Sequence, residues 1–330
     1  MSSAWALCAS RRAVRLSQYG LRPEALGSWS RCSSSSSASA SAPVRLGVVG
    51  CGQMGAGIAI VAARHAQIEV VGLDAYPASL DRARQFMKDW ADKEAKKGRM
   101  SSEEVVAFMG RVKFHELGDS AAMKAEVPRL DFVIEAVSEN LDTKRAVFDA
   151  LQSAGLRADS VLASNTSSIS ITKLAAQVER PERVIGMHFM NPVPVMPLVE
   201  VIRGLRTDQT TLDTTLNLVT AMKKEHSTSA DRPGFIANRI LMPYINEAVF
   251  ALQEGVGTAE DIDKTLRLGT NVPMGPLTLA DFIGLDTCLS IMQVLHRDLG
   301  DSKYRPAPLL VNYVEAGWLG KKTKRGFYAY

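Results

Sequence analysis

A glycine-rich turn that follows a short apolar run constrains the fold of this chain more than any other feature. Residues 44–49 are almost all apolar and end at Gly50-Cys51-Gly52-Gln53-Met54-Gly55, which opens a segment rich in small residues. In this spacing the first glycine permits a tight turn, the second a close backbone approach to a ligand, and the third close helix–strand packing. The motif predicts a strand–turn–helix unit with a dinucleotide pyrophosphate at the helix N-terminus.

An acidic residue selects among dinucleotides. A second apolar run, 68–73, ends at Asp74, 24 residues after Gly50. A carboxylate there accepts hydrogen bonds from a ribose 2′-hydroxyl and repels a 2′-phosphate. Residues 75–77 supply no arginine that could receive such a phosphate. The sequence therefore favours NAD over NADP.

Strand-like and helix-like segments alternate in the first two thirds of the chain. Further strands are predicted at 132–135, 161–164, 184–188 and 198–202, separated by helical stretches. This alternation predicts a Rossmann-type, doubly wound α/β fold with a mostly parallel sheet. After Arg232-Pro233-Gly234 no convincing strand remains, and helices are predicted at 235–252, 259–268, 287–299 and 308–316. We therefore expect an NAD-binding domain over 44–230 and an all-α domain over 231–330.

The first 43 residues differ in composition from the rest. They contain five arginines, a serine run over 33–37 and a single acid, Glu24. An arginine-rich, serine-rich, acid-poor N-terminus is typical of an organellar transit peptide. We expect residues 1–43 to be a targeting leader, for the mitochondrial matrix rather than a plastid; a merely disordered tail is the alternative.

Charge and cysteine content exclude several classes of function. The chain has 39 basic and 35 acidic residues; five and one of these lie in 1–43, which leaves 34 of each. A neutral remainder gives no reason to expect nucleic-acid or membrane-surface binding, and no apolar run reaches membrane-helix length. Beyond the leader only Cys51 and Cys288 remain, so neither a disulfide framework nor a metal site is predicted.

A histidine at the end of a predicted strand is the leading candidate for catalysis. His188 precedes Phe189-Met190-Asn191-Pro192 and lies at the carboxyl end of its strand, where open α/β sheets bind ligands. Imidazole is the side chain best suited to proton transfer near neutral pH. Glu200 interrupts the apolar run 197–202, and a buried carboxylate needs a partner. Pairing with His188 would satisfy it; a solvated strand face is the alternative.

Two polar residues elsewhere are candidates for substrate contacts. Ser167 lies in Ser164-Asn165-Thr166-Ser167-Ser168, at the end of another predicted strand. Its hydroxyl could bind a substrate oxygen, although Ser168 or Ser170 could simply cap the next helix. Asn238 lies on the apolar face of its helix, where a buried amide must be satisfied by backbone or by substrate.

Taken together, these segments resemble the L-3-hydroxyacyl-CoA dehydrogenase family, including its short 3-hydroxybutyryl-CoA dehydrogenases. The resemblance runs from about residue 44 to residue 330. The matching motifs are the glycine loop, Val137-Ser138-Glu139-Asn140, Ser164 to Ser168, His188 to Pro194, Asp231 to Arg239, Pro273 to Pro276, Gly284-Leu285-Asp286, Gly320 to Thr323 and Gly326-Phe327-Tyr328.

The resemblance implies a role for each matching residue. His188 would be the general base, oriented by Glu200, and Ser167 and Asn238 would hydrogen-bond the substrate. The residues implied to line the NAD site are the glycine loop with Gln53 and Met54, and also Asp74, Glu139, Lys144, Ser167 and Asn191. It also implies an acyl-CoA substrate and a homodimer formed through the helical domain.

The coenzyme A contact is predicted from charge alone. Lys93, Lys96 and Lys97 lie near one face of a long charged helix and suit an anionic phosphate; a solvated charged face is the alternative.

These features lead to a hypothesis of NAD-dependent oxidation of an L-3-hydroxyacyl-CoA to a 3-ketoacyl-CoA, in fatty-acid β-oxidation or butanoate metabolism. Two alternatives remain: a structural or regulatory NAD-binding protein, as the crystallin relatives of the family suggest, and a dehydrogenase of a free hydroxy acid.

Overall fold

A single eight-stranded sheet organises the first part of the chain in the computed structural model, which describes residues 45–330. The predicted leader, 1–43, lies outside these residues. The strands are β1 Arg45–Val49, β2 Glu69–Asp74, β3 Val112–Glu116, β4 Phe132–Glu135, β5 Val161–Ser164, β6 Val184–Phe189, β7 Leu198–Arg203 and β8 Glu225–Ala230.

The strand order is β3-β2-β1-β4-β5-β6-β7-β8. All neighbours are parallel except β6 and β7, which are antiparallel. Because the order reverses between β1 and β4, a crevice opens at the carboxyl ends of these strands, where such sheets bind ligands. The Rossmann-type, mostly parallel sheet is confirmed.

The sequence predicted the six interior strands but missed the two at the edges. β3 (Val-Lys-Phe-His-Glu) and β8 (Glu-His-Ser-Thr-Ser-Ala) have largely exposed or half-buried side chains. An edge strand buries less surface than a central one, so it shows no continuous apolar run.

Helices cover both faces of the sheet. In this part of the chain they are α1 Gln53–Val61, α2 Pro77–Lys96, α3 Ser102–Gly110, α4 Ser120–Glu126, α5 Leu141–Ser153, α6 Ile171–Ala175 and α7 Gln209–Ala221. β4 shows the two-sided burial: Phe132 and Ile134 belong to one apolar cluster and Val133 to the other. Alternate side chains of a strand point to opposite faces, so both faces of the sheet are core.

The remaining chain is helical, as predicted. Its helices are α8 Ala237–Gln253, α9 Ala259–Gly269, α10 Pro276–Ile283, α11 Leu285–Leu299 and α12 Pro308–Glu315. α10 was not predicted, because Gly275-Pro276 suggested a break; proline instead occupies the first turn, where its missing N–H costs nothing. Gly284, with φ +104°, separates α10 from α11.

Two further properties concern the described chain as a whole. It belongs to one compact unit, so the division at residue 230 stays a prediction. Within 45–330 no single helix is both long and apolar enough to cross a membrane; α10 and α11 meet that criterion only as a pair bent by 98°.

Candidate active site

The glycine loop joins β1 to α1, and its three glycines face different surroundings. Gly50 has φ +89°, and a Cβ there would lie 2.7 Å from the carbonyl group of Ala136. A Cβ on Gly55 would overlap the carbonyl oxygen of Gly50, so close packing requires glycine at both positions. At Gly52 a Cβ would meet nothing within 4 Å. Among the three glycines, Gly52 is therefore the one with free space beside it, and the motif expects the pyrophosphate to lie close to this glycine.

Asp74 ends β2 and binds the same loop. One carboxylate oxygen accepts from the Cys51 amide at 2.7 Å and the other from the Tyr76 amide at 2.9 Å. Each oxygen has a second lone pair that could accept from a ribose hydroxyl. Asp74 at the end of the second strand is therefore placed to accept hydrogen bonds from the ribose hydroxyls of NAD.

The first turn of α1 meets the loop that follows β6. Gln53 donates from Nε2 to Oδ1 of Asn191 at 3.1 Å, and both residues are exposed. Met54 is half-buried against the core. Two residues predicted for the cofactor site, 138 positions apart in the chain, thus lie side by side at the helix N-terminus.

His188 and Glu200 are direct cross-strand neighbours on β6 and β7. Nδ1 of His188 lies 3.1 Å from Oε2 of Glu200. Glu200 is 1% exposed, which rules out the solvated strand face, and His188 is 9% exposed. No hydrogen bond from the described residues engages Nε2 of the imidazole, so this nitrogen can exchange a proton with a ligand.

The second oxygen of Glu200 is bound by the start of α8. Oε1 accepts from the amide of Ile236 at 2.6 Å and from that of Ala237 at 3.3 Å. These amides lack partners within their helix, and the helix dipole favours a negative charge at this end. Glu200 is therefore oriented by an element outside the sheet.

Phe235 precedes these amides and packs against the histidine. Its ring centroid lies 6.1 Å from that of His188, and its backbone has φ +51°. The ring is buried in the core. Because the phenyl ring packs against the imidazole, it limits rotation of the imidazole away from its hydrogen bond with Glu200.

Glu139 collects the hydroxyl and amide groups that follow β5. Its Oε1 accepts from Thr166 Oγ1 at 2.6 Å, from the Ser167 and Ser168 amides at 2.9 Å each, and from both serine hydroxyls at 3.0–3.2 Å. Burial raises the pKa of Glu139, but Lys144 and these donors outweigh it and hold the pKa below its ordinary value. Glu139 thus holds Ser167 in place as a carboxylate.

Lys144 is a buried lysine that contacts this cluster through Glu139. Its ammonium contacts Glu135 at 2.8 and 3.0 Å and Glu139 at 3.4 Å, and the side chain is 1% exposed. Ser164 also donates to Glu135, at 2.6 Å. The resemblance places Lys144 along the cofactor. In the structure its ammonium contacts Glu139, the carboxylate that binds the serine segment. Its partner Glu135 was not predicted, although a carboxylate ending an apolar strand is the same signal as Glu200.

Asn238 joins α8 to the serine segment. Its Nδ2 donates to the carbonyl oxygen of Ser167 at 3.1 Å. The backbone alternative is therefore satisfied, while the second N–H of the amide remains for a ligand. Ser170, as the alternative interpretation held, caps α6 by accepting from the Lys173 amide at 3.2 Å.

The predicted coenzyme A lysines are all exposed. Lys93 and Lys96 lie in the last turn of α2, and Lys97 lies 3.8 Å from Glu94. No contact between described residues links them to the histidine site. A solvated face accounts for their positions, and their role stays a prediction.

Comparison with known proteins gives one consistent result. Residues 45–231 match the family model of the 3-hydroxyacyl-CoA dehydrogenase NAD binding domain, and residues 234–330 match that of the C-terminal domain. The 3-hydroxybutyryl-CoA dehydrogenase of Bradyrhizobium diazoefficiens is 52% identical over 286 residues, which cover 87% of this chain and 95% of that protein. The human mitochondrial hydroxyacyl-coenzyme A dehydrogenase is 38% identical over 303 residues, covering 90% and 96%.

A solved structure agrees. That of the (S)-3-hydroxybutyryl-CoA dehydrogenase from Ralstonia eutropha superposes with a TM-score of 0.82 at 43% identity, covering 88% of this chain and 99% of that one. Sequence, fold and site geometry thus coincide, and the chain belongs to the 3-hydroxyacyl-CoA dehydrogenase family.

Proposed function

We propose that this protein catalyses the reversible, NAD-dependent oxidation of short L-3-hydroxyacyl-CoA thioesters, such as 3-hydroxybutyryl-CoA, to 3-ketoacyl-CoA. The observation that carries the proposal is the buried pair of His188 and Glu200 at the carboxyl edge of the sheet that bears the glycine loop. The names of the relatives support the substrate class.

The chain's own residues perform the proton transfer. Nε2 of His188 accepts the proton of the substrate 3-hydroxyl, while Glu200 holds Nδ1 and stabilises the imidazolium that forms. When bound, NAD supplies the hydride acceptor. In the reverse direction the imidazolium returns its proton to the oxygen of the ketone.

Ser167 and Asn238 offer donors to the substrate oxygen. The Ser167 hydroxyl makes the longest of the contacts to Glu139 Oε1, at 3.2 Å, so it is the donor most easily turned toward a ligand. Asn238 retains one N–H after its bond to Ser167. These groups would hold the oxygen at carbon 3 or the thioester carbonyl.

The test is reduction of acetoacetyl-CoA, followed by loss of NADH absorbance. His188→Ala is expected to lower kcat by about 10²–10⁴-fold, the usual contribution of acid–base catalysis. NADH affinity should be retained, and His226→Ala, on the exposed edge strand β8, is the matched control. Equal turnover by His188→Ala and His226→Ala would refute the role of His188.

The same assay separates the two alternatives. NADH binding by the wild-type protein without turnover of any thioester would support a binding protein of structural or regulatory function. Turnover of free 3-hydroxybutyrate in preference to its CoA thioester would support a hydroxy-acid dehydrogenase.

We further propose that the protein works in the mitochondrial matrix. The arginine- and serine-rich leader supports this location, as does the name of the human relative. A fluorescent protein fused after residue 43 should reach mitochondria, whereas the same fusion to residues 44–330 should not. Cytosolic fluorescence of the first fusion would overturn the proposal.

A homodimer formed by the helical segment is also proposed. A groove of about 520 Å³, lined mainly by apolar residues of α8, α9 and α10, opens on this segment. Ile240, Val256 and Leu268 are more than half exposed. Sedimentation analysis should give twice the chain mass, and a monomer at micromolar concentration would contradict the proposal.

A further inference from the structure

Lys224 is a buried lysine that the mechanism above does not use. It lies between α7 and β8 and is 9% exposed. Its ammonium donates to the carbonyl oxygens of Val193 at 2.6 Å and Met196 at 2.7 Å. Both acceptors belong to residues 190–197, the β6–β7 loop that separates His188 from Glu200.

Lys224 has no acidic partner: no carboxylate of residues 45–330 lies within ion-pair distance of its ammonium. Burial lowers its pKa below the ordinary value. A buried charge is costly unless it is well hydrogen-bonded. Here two backbone carbonyls accept hydrogen bonds from the ammonium of Lys224. The ammonium therefore joins two points of one loop, and we call this pair of hydrogen bonds the crosslink.

That loop contacts α1, the helix that follows the glycine loop, at two points. Asn191 accepts from Gln53 at the N-terminus of α1. The buried side chain of Val193 packs on the same helix, where a Cβ at Gly57 would lie 2.8 Å from it. The amides of Val195 and Met196 both donate to the carbonyl of Pro192, at 3.0 and 2.9 Å. A shift of this loop would move Asn191 relative to α1.

We propose that Lys224 is a positioning residue, which fixes the β6–β7 loop by its two carbonyl bonds and so holds Asn191 against the cofactor-binding N-terminus of α1. The proposal rests on the proposed function for its catalytic consequence. Its structural part, the crosslink and its effect on NADH binding, stands without turnover.

The experiment compares Lys224→Met with Lys223→Met in the full-length protein. Both changes remove one lysine charge, but Lys223 is exposed and makes neither carbonyl contact. Hydrogen exchange is measured at the Val195 and Met196 amides, NADH affinity by fluorescence titration, and kcat and KM below the melting temperature of each variant.

Lys224→Met should speed exchange selectively at these two amides and weaken NADH binding, with kcat/KM for NADH about 10- to 100-fold lower, as expected for a displaced positioning group. Lys223→Met should match the wild type. If Lys224→Met does not fold, Lys224→Gln, whose shorter amide cannot reach both carbonyls, should show the same pattern.

A uniform loss of stability, with unchanged loop exchange and unchanged NADH affinity, would overturn the proposal. Failure of the wild-type protein to reduce acetoacetyl-CoA is a different result: it would refute the proposed function, whereas exchange and NADH titration would still test the crosslink.

Discussion

Replacing Glu200 with glutamine tests the central pair while preserving its shape. The amide must keep its oxygen toward the Ile236 amide, because a second donor would clash with that N–H at 2.6 Å. Its NH₂ group then faces Nδ1 of His188, 3.1 Å from the original carboxylate oxygen. Nδ1 must therefore accept, and the ring proton moves to Nε2, the atom that we propose accepts the substrate proton.

The expected loss of activity follows because Nε2, once protonated, can no longer act as a base. Loss of acid–base catalysis lowers kcat by about 10²–10⁴-fold, which corresponds to about 3–5 kcal/mol of activation free energy. A neutral amide is also a weaker acceptor for the α8 amides than a carboxylate. The free energy of unfolding should therefore fall by about 1–2 kcal/mol.

Steady-state reduction of acetoacetyl-CoA and scanning calorimetry measure the two effects separately. Glu225→Gln, an exposed glutamate on β8, is the matched control and should change neither. NADH affinity should stay at the wild-type value in both variants. Wild-type kcat in Glu200→Gln would refute the proposed role of the carboxylate, whatever the change in stability.

Three further outcomes are expected. Gly52→Ala should fold normally but bind NADH weakly, whereas Gly55→Ala should lower the melting temperature, because only the second methyl overlaps backbone. Cys51, whose pKa burial raises to about 12, should resist alkylation in the native protein and react after denaturation, as read by mass spectrometry. Asn238→Asp should raise the KM for acetoacetyl-CoA about tenfold or more, while Asn246→Asp, a buried asparagine on the same helix, should only reduce stability. An unchanged KM in the first of this pair would contradict the assignment.

Sequence patterns predicted the parts of the fold that are buried on both sides. Interior strands such as β4 and β5 are fully buried, so the first three residues of each are apolar and only the last is polar. The edge strand β8 pairs with β7 through backbone groups while most of its side chains face solvent. Backbone pairing leaves little trace in side-chain composition, which is why β8 was missed.

The pair of His188 and Glu200 was also predictable, because burial of a carboxylate is visible in the sequence. A carboxylate inside an apolar strand must find a partner, and strand geometry offers few candidates. The amide of Ile236 leaves no such trace, since every residue but proline carries an N–H. Its contact with Glu200 joins residues 36 positions apart and depends on how α8 docks against the sheet.

Because α8 docks in this way, the proposed proton-transfer pair depends on two segments of the chain. The sheet supplies His188 and Glu200, and the start of α8 supplies the amides that bind the second oxygen of Glu200. Asn238, the second residue of the same helix, reaches the serine segment at the end of β5. A displacement of α8 would therefore remove two donors from the carboxylate and one donor from the carbonyl oxygen of Ser167 at once. The position of the helical segment thus decides whether the histidine faces an oriented carboxylate, so the proposed chemistry depends on this segment as well as on the sheet.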